Sequence, residues 1–469
     1  MIAEQTDRGR AGRLRRSAPG GGRLPVLAGG GPPIALMVAV LLSCCGCDQK
    51  LSPEMEAAVE AKAYGRLPGL TAAPDEALQD ELARIVEERG TPELLSSAGG
   101  SDETPAVSGL SNMFPGLDRD ALAAIRAESD KLLPSRSFTL DPVRLERAIR
   151  FRRRHERPQQ EFRLALDQPG CRFPIDFQSG QAADLSFLDR AWIGVRLEAF
   201  RAAESLASHK VDAALESLHY MLRAAERLAA EPHPQVRLEA AFMRTEAFLA
   251  LQSIVKDSGV TRDHLKTVHG WLAEQLERWP DDALAWIGDR ALGMVFYEAA
   301  RDGRLLDFLA PSEVEALRSE GFLSEFKDAV LRNVNRDELY YLAAMRKIIA
   351  SCRRPYHARI ADFDALRWEL QAKRNEADFP LLAGRFLLPD IEKGHVIQAR
   401  DRANCEGWAL AAALAAGDPP PPLEANPLTG RPYRVEREGG TIMVLDIGAG
   451  EGGDNPPWIV PDLAHASPE

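Results

Sequence analysis

No run of apolar residues in this chain reaches the roughly 18 to 20 needed to cross a hydrocarbon core as a helix; Ile34 to Leu42 is far shorter. A permanent membrane span is therefore not expected. Cysteine is also scarce, with six in 469 residues and three of them crowded at Cys44, Cys45 and Cys47. The others, Cys171, Cys352 and Cys405, are widely spaced and odd in number, so neither a disulfide framework nor a zinc motif can be read from them, although one pair could bridge in an oxidising compartment. Positive charge falls short as well: 58 Lys and Arg face 70 Asp and Glu, a net −12, which argues against sequence-independent nucleic-acid binding. Catalytic signatures are missing too, with no H-E-x-x-H, no G-x-S-x-G and no P-loop. His264 and His269 lie five apart, about 140° round a helix, and cannot share one metal from that helix.

What is present starts at the short apolar run. Arg8, Arg10, Arg13, Arg15, Arg16 and Arg23 precede it, and Leu41-Leu42-Ser43-Cys44 then resembles a lipobox, the cleavage and lipidation site of bacterial lipoproteins. The resemblance implies an exported protein of the bacterial cell envelope, lipid-anchored through the thiol of Cys44. Cys47, preceded by Gly46, is the alternative, with Cys44 where the pattern has Leu. Residues 1–43 would be the signal peptide. Six arginines against Glu4 and Asp7 give that segment +4, so the −12 of the whole becomes −16 for residues 44–469.

Residues 44–115 read as short helices followed by a flexible linker. Pro74-Asp75-Glu76 is a helix start and Gly90 a stop, while Ser96 to Pro115 is rich in Ser, Gly, Pro and acid, a composition unable to fold alone. Residues 116–416 show helical periodicity and no period-two stretch of similar length. Helices are expected at Phe187–Leu206, Val211–Leu228, Pro234–Val255, Thr261–Trp279, Asp282–Arg301, Pro311–Asn333, Arg336–Ala350, Tyr356–Lys373 and Ile397–Ala416. In the first, Leu188, Ala191, Trp192, Val195, Ala199 and Ala202 fall on one face, and the short Ser208-His209-Lys210 link makes the first two antiparallel neighbours. Thr261 and Asp263, and Ser312 with Glu315, offer N-terminal caps; Gly259 and Gly303 mark stops. The fold expected is mainly α, an array of antiparallel helical hairpins with a small C-terminal β-hairpin in a Pro/Gly-rich tail, residues 417–469.

Within the array, Arg278-Trp279-Pro280-Asp281-Asp282-Ala283-Leu284-Ala285-Trp286 resembles the junction between tetratricopeptide units, but it occurs once and no 34-residue period recurs, so the array is tetratricopeptide-like at most. Near the end, Val444-Leu445-Asp446-Ile447-Gly448-Ala449-Gly450-Glu451-Gly452 looks like the glycine-rich first motif of S-adenosylmethionine-dependent methyltransferases, and Gly448, Gly450 and Gly453 satisfy G-x-G-x-x-G. Only 16 residues follow Gly453, and Pro456 and Pro457 block the required helix, so no cofactor is predicted. The same segment reads as a hairpin, Tyr433 to Val435, a turn at Glu438-Gly439-Gly440, then Thr441 to Leu445. The order from Ala411 to Asp462, with Asn426-Pro427-Leu428-Thr429-Gly430-Arg431-Pro432-Tyr433 before the strands, is similar to the carboxyl-terminal part of major type II secretion pseudopilins. That family binds calcium through loop acids. Here Asn426 replaces the usual Asp and Gly450 the first acid, leaving Asp454 alone, too few donors for Ca²⁺, and no metal is predicted.

Two further features have a structural and a functional reading. The run Arg144, Arg147, Arg150, Arg152, Arg153, Arg154 and Arg157 is expected to be a solvated helix face paired with acids, the alternative being a patch for anionic headgroups or an acidic partner. Phe173-Pro174-Ile175-Asp176-Phe177 is expected to plug the helical core with its two aromatic rings while Asp176 turns the chain.

Taken whole, the layout resembles a class of bacterial exported helical lipoproteins to which no activity is attached. The expected function is a non-catalytic, membrane-anchored scaffold binding a protein or peptide partner, with no catalytic, cofactor or metal residue assigned. The alternatives are an α-helical enzyme acting on cell-wall material through Asp/Glu residues, and an adaptor to a secretion system through the tail.

Overall fold

The computed structural model describes residues 105–133, 138, 140–168, 173, 175–309, 314–315, 318–319, 323–374, 379–445 and 458–464. Twelve α-helices lie among them: α1 Pro105–Asn112, α2 Arg119–Leu132, α3 Pro142–Arg154, α4 Glu156–Asp167, α5 Phe187–Leu206, α6 Val211–Ala229, α7 Pro234–Ile254, α8 Arg262–Glu277, α9 Asp282–Arg301, α10 Leu323–Ser351, α11 Ile360–Lys373 and α12 Ile391–Ala416. Three strands follow, β1 Arg434–Glu438, β2 Thr441–Leu445 and β3 Trp458–Pro461. The protein is thus mainly α with a small antiparallel sheet near its C-terminus. Among the described residues no helix is long and apolar enough to cross a membrane.

Side-chain oxygens supply the orphan amides of several first turns. Asp118 accepts from Ala121 N at 2.8 Å, Asp141 from Val143 N and Arg144 N at 3.0 and 2.9 Å, and Asp281 from Ala283 N at 2.9 Å. At α8 the Thr261 hydroxyl accepts the His264 amide while His264 Nδ1 accepts that of Thr261, a reciprocal cap in which histidine replaces the usual acid. Gly417, at φ 73°, closes α12 in the left-handed region that L side chains avoid.

The helices α5 and α9 have the expected limits, and the predicted face of α5 is buried throughout. Several expectations need correction: α12 begins at Ile391 and not Ile397, and α11 at Ile360, after a separate 3-10 turn at Tyr356–Ala358. The break placed between Asn333 and Arg336 does not exist; α10 runs through it, and Asn335 Oδ1 there accepts from Arg301 Nε and Nη2 at 3.1 Å each. The linker also ends earlier than Pro115, since α1 packs on α4 with Leu110, Met113 and Phe114 buried. Gly109 allows this: a Cβ there would stand 2.6 Å from that of Ala165. Composition alone would leave the segment unfolded, but a neighbouring helix supplies the apolar surface it lacks.

Buried side chains form two apolar cores. The larger takes in α1 to α8, Ala291 and Leu292 of α9, the second half of α12 and the sheet; the smaller takes in the rest of α9, α10, α11 and the first half of α12. Helices α5, α6 and α7 pack in chain order, as a hairpin array requires. The helix α8, however, packs chiefly against α12, which also lies along α7. In a strict repeat each unit meets only its neighbours, whereas α12 returns across more than a hundred residues and joins both cores.

The hairpin appears at the expected place, with Val435 opposite Val444 and Glu438 inside β1 opposite Thr441, and β3 adds to its other side. Ile442, Val444 and Val460 are fully buried and Trp458 packs at 4.9 Å from Trp408 of α12. Burial of each aliphatic contributes roughly 1.5–3 kcal/mol, more than the roughly 1 kcal/mol of a hydrogen bond, so the apolar face holds the sheet in place. Polar contacts then fix its position. The Gln252 side chain of α7 donates to Ile459 O at 2.8 Å and accepts from Ile459 N at 3.1 Å, covering the β3 edge.

Candidate functional site

The residues singled out for lipidation, Cys44 and Cys47, and the glycine-rich segment from Asp446 to Asp454 lie outside the described residues, as does Cys171. The strands flanking that glycine segment are described, and β2 and β3 are antiparallel neighbours. A dinucleotide fingerprint instead needs a strand, a helix and a return to a parallel strand. The Asn426 turn that carries the pseudopilin resemblance is internally satisfied: Asn426 Oδ1 accepts from Leu428 N at 2.8 Å and Asn426 O from Gly430 N at 2.8 Å. Cys352 and Cys405 are buried free thiols, each pushed up by burial to about 12, so neither is an activated nucleophile.

The arginine run lies on α3 except for Arg157, which is on α4, and five of its members pair with acids. Arg144 reaches Asp141, Arg150 reaches Glu146, Arg152 and Arg153 share Glu204, and Arg154 meets Glu128. Phe173 stacks on Phe187 at 4.7 Å, Phe177 is buried, and the exposed Asp176 accepts from Ser179 Oγ at 2.6 Å. His264 is committed to its cap and to Asp212, 2.9 Å away. None of these sequence-level features converges with another.

A constellation not assigned from sequence does converge, where the two cores meet. Pro280 ends the preceding segment, Asp281 caps α9, and the tetratricopeptide-like junction thereby delivers Asp282 and Trp286 into the interior. From α7, one side chain presents Arg237 to the carbonyls of Pro280 and Asp281 at 2.9 and 3.0 Å and to Asp282 at 3.4 Å. Two turns on, Arg244 forms an ion pair with Asp401 of α12 and lies 4.7 Å above the Trp279 ring. Arg359, between α10 and α11, donates to Asp282 Oδ2 at 2.9 Å, Cys352 O at 3.0 Å and His395 Nδ1 at 3.0 Å. Trp286 Nε1 donates to Gln398 Oε1 at 3.2 Å and its ring is stacked on His395. Gly394 permits that stack, since a Cβ there would stand 2.4 Å from the indole.

Burial governs the electrostatics of this seam. It pushes Asp401 above the usual carboxylate range against the opposing pull of Arg244 and Arg237, and it lowers Arg237 despite Asp282. His395 is held well below its ordinary value by burial and then by Arg359, and the nearby His233 falls to about 4 through burial alone. Deeper in the smaller core, burial raises Asp337 to about 6, although the carboxylate accepts from Tyr297 Oη at 2.5 Å and from the amides of Leu382 and Ala383 at 2.6 and 2.8 Å. Asp289 is raised to about 7 for the same reason.

Chemically, the seam is a lock. Its acceptor nitrogen on His395 is occupied by a guanidinium and its carboxylates by arginines, and among the described residues no three His, Cys, Asp or Glu side chains could hold a metal ion. The sequence signal that could have found it was the Arg278–Trp286 segment together with His395, Gln398, Asp401 and Cys405, which recur every three or four residues on α12. No protein-family model matches the chain, and no curated protein or solved structure matches it either.

Proposed function

We propose that this chain is a lipid-anchored protein of the bacterial envelope whose helical body is a rigid binding scaffold for a protein or peptide, not a catalyst. The observation that supports it best is the seam: its charged groups are buried against one another and fasten α7, α9 and α12, so they serve rigidity and not substrate chemistry. The wall-hydrolase alternative needs two free carboxyls about 5 to 9.5 Å apart, whereas the buried Asp337 has both oxygens engaged by neighbours and the buried Asp401 is held by Arg244 through one.

Two measurements test the reading separately. Replacing Cys44 by Ala should move the protein from the membrane to the soluble fraction; unchanged membrane recovery with Cys44→Ala and with Cys44→Ala/Cys47→Ala would remove the anchor. Chemical cross-linking followed by purification from detergent-solubilised membranes should return one dominant partner, and repeated recovery of the bait alone would remove the scaffold.

A further inference from the structure

In the seam the fully buried His395 imidazole lies between two aromatic rings. It is nearly parallel to Trp286, at 4.2 Å and 12°, and tilted against Phe363 at 4.8 Å. Because Nδ1 accepts from Arg359 Nη1, the ring must be neutral with its hydrogen on Nε2. The same guanidinium holds Cys352 O and the carbonyl of Arg354, so it folds the whole connection from α10 to α11 onto α12. The helix α11 is otherwise held lightly: Phe363 is its one buried side chain, tilted against His395, and Leu366 and Leu370 are only partly buried against the smaller core. Its ion pairs, Asp362 with Arg354 and Arg367 with Glu392, are on the surface, where such pairs contribute little.

We propose that His395 is a proton-sensitive latch: an imidazolium cannot accept from Arg359, so acid releases the Cys352–Arg359 connection and α11 from α12 as one unit. The groups packed round the ring favour release. Arg359 brings a positive charge to 3.0 Å, and the one carboxylate close behind it, Asp282 of α9, is shared with Arg237 of α7. The α10 end contributes the Cys352 thiol, the following turn Tyr356, whose hydroxyl donates to Glu392, and α11 only Phe363. Along α12 itself stand Gln398, bonded to Trp286, and Asp401, bonded to Arg244. No carboxylate of these elements bonds the imidazole. Burial and Arg359 both disfavour the second proton while the latch is closed. Release would uncover Phe363 one turn from Ile360, already 38% exposed, and so enlarge the apolar face there. This inference goes beyond the scaffold reading and does not depend on the anchor.

An opened histidine titrates near 6.5, so each pH unit below that favours the open form about tenfold, or about thirtyfold between pH 7.5 and 5. Hydrogen exchange of the full chain at those two pH values, corrected for intrinsic rates, should show about that acceleration in peptides from residues 360–373, with α5 unchanged. His395→Gln, whose amide oxygen still accepts from Arg359 but takes no proton, should abolish the difference. Equal protection of α11 at both pH values, acceleration shared by α5, or the same acceleration in a folded His395→Gln protein would overturn the latch. Should that variant fail to fold, the wild-type chain can be labelled with a dithiodipyridine, a reagent active in acid. Faster modification of Cys352 relative to Cys405 at the lower pH supports the latch, and an unchanged ratio overturns it.

Discussion

The ion pairs round α3 to α7 and those of the seam are built from the same residue types, yet they differ in how fully each carboxylate is satisfied. In the larger core Glu198 receives Arg163 as a two-pronged fork at 2.5 Å on each oxygen and Gln159 Nε2 at 3.0 Å besides, and Glu204 holds both Arg152 and Arg153. In the seam one oxygen of Asp401 carries the whole contact with Arg244, and its other oxygen, like Nε2 of His395, is buried with no hydrogen-bond partner. The reach differs too, 35 residues for Arg163 and Glu198 against 157 for Arg244 and Asp401. Glu198 in the larger core therefore has redundancy where Asp401 in the seam has a single contact.

The strongest way to break this comparison is Arg244→Met, which strands a buried carboxylate. It should lower stability by roughly 3–5 kcal/mol, and adding Asp401→Leu should restore most of it, because an apolar pair removes the uncompensated charge. Urea unfolding followed by circular dichroism reads both. If the single variant loses no more than Arg152→Ala, the distinction between the two regions fails.

A smaller effect comes from pH. His233, lowered from its ordinary 6.5 to about 4, contributes stability that is complete above 6.5 and lost as pH falls toward 4; at pH 5 the loss is about 2 kcal/mol. Asp337, raised from 3.8 to about 6, has the opposite sign: its contribution is complete below 3.8 and lost as pH rises through about 6. His233→Gln should thus flatten the acid limb of a melting-temperature profile and Asp337→Asn the neutral one. Exchanged or absent effects would show that these groups do not govern the profile.

The smallest effect is expected on the surface of α3. Arg153 is 69% exposed and meets Glu204 at 3.4 Å while Arg152 holds the same acid, so Arg153→Ala should shift stability by no more than about 0.5 kcal/mol. A loss above about 1 kcal/mol would give that surface pairing a weight the comparison denies it.

Much of the fold was legible because local signals agree with tertiary demand. The stripe from Leu188 to Ala202 is helical in spacing and buried in fact, and Glu438-Gly439-Gly440 turns where two alternating segments meet. The break expected at Asn333 to Arg336 was misread because polarity marks a turn only when no partner is near, and Arg301 and Tyr297 receive that stretch from another helix. β3 was missed because its four residues make a strand only by pairing with β2. The seam was half visible. Its Asp281-Asp282 cap and Trp286 stood out, but nothing local says that Asp282 meets an arginine 77 residues later or that Arg244 meets Asp401.

The return of α12 also sets the order in which the molecule can be made. Contacts that close over more than a hundred residues form late, after the loop entropy between them has been lost. A growing chain that ends before residue 391 can bring α5, α6 and α7 together but lacks the helix that packs most extensively on α8 and joins both cores. Truncations or stalled chains lacking α12 should therefore be open to chaperones and proteases along α7 and α8, and synthesis of the last fifth of the chain decides whether the earlier four-fifths become a finished body.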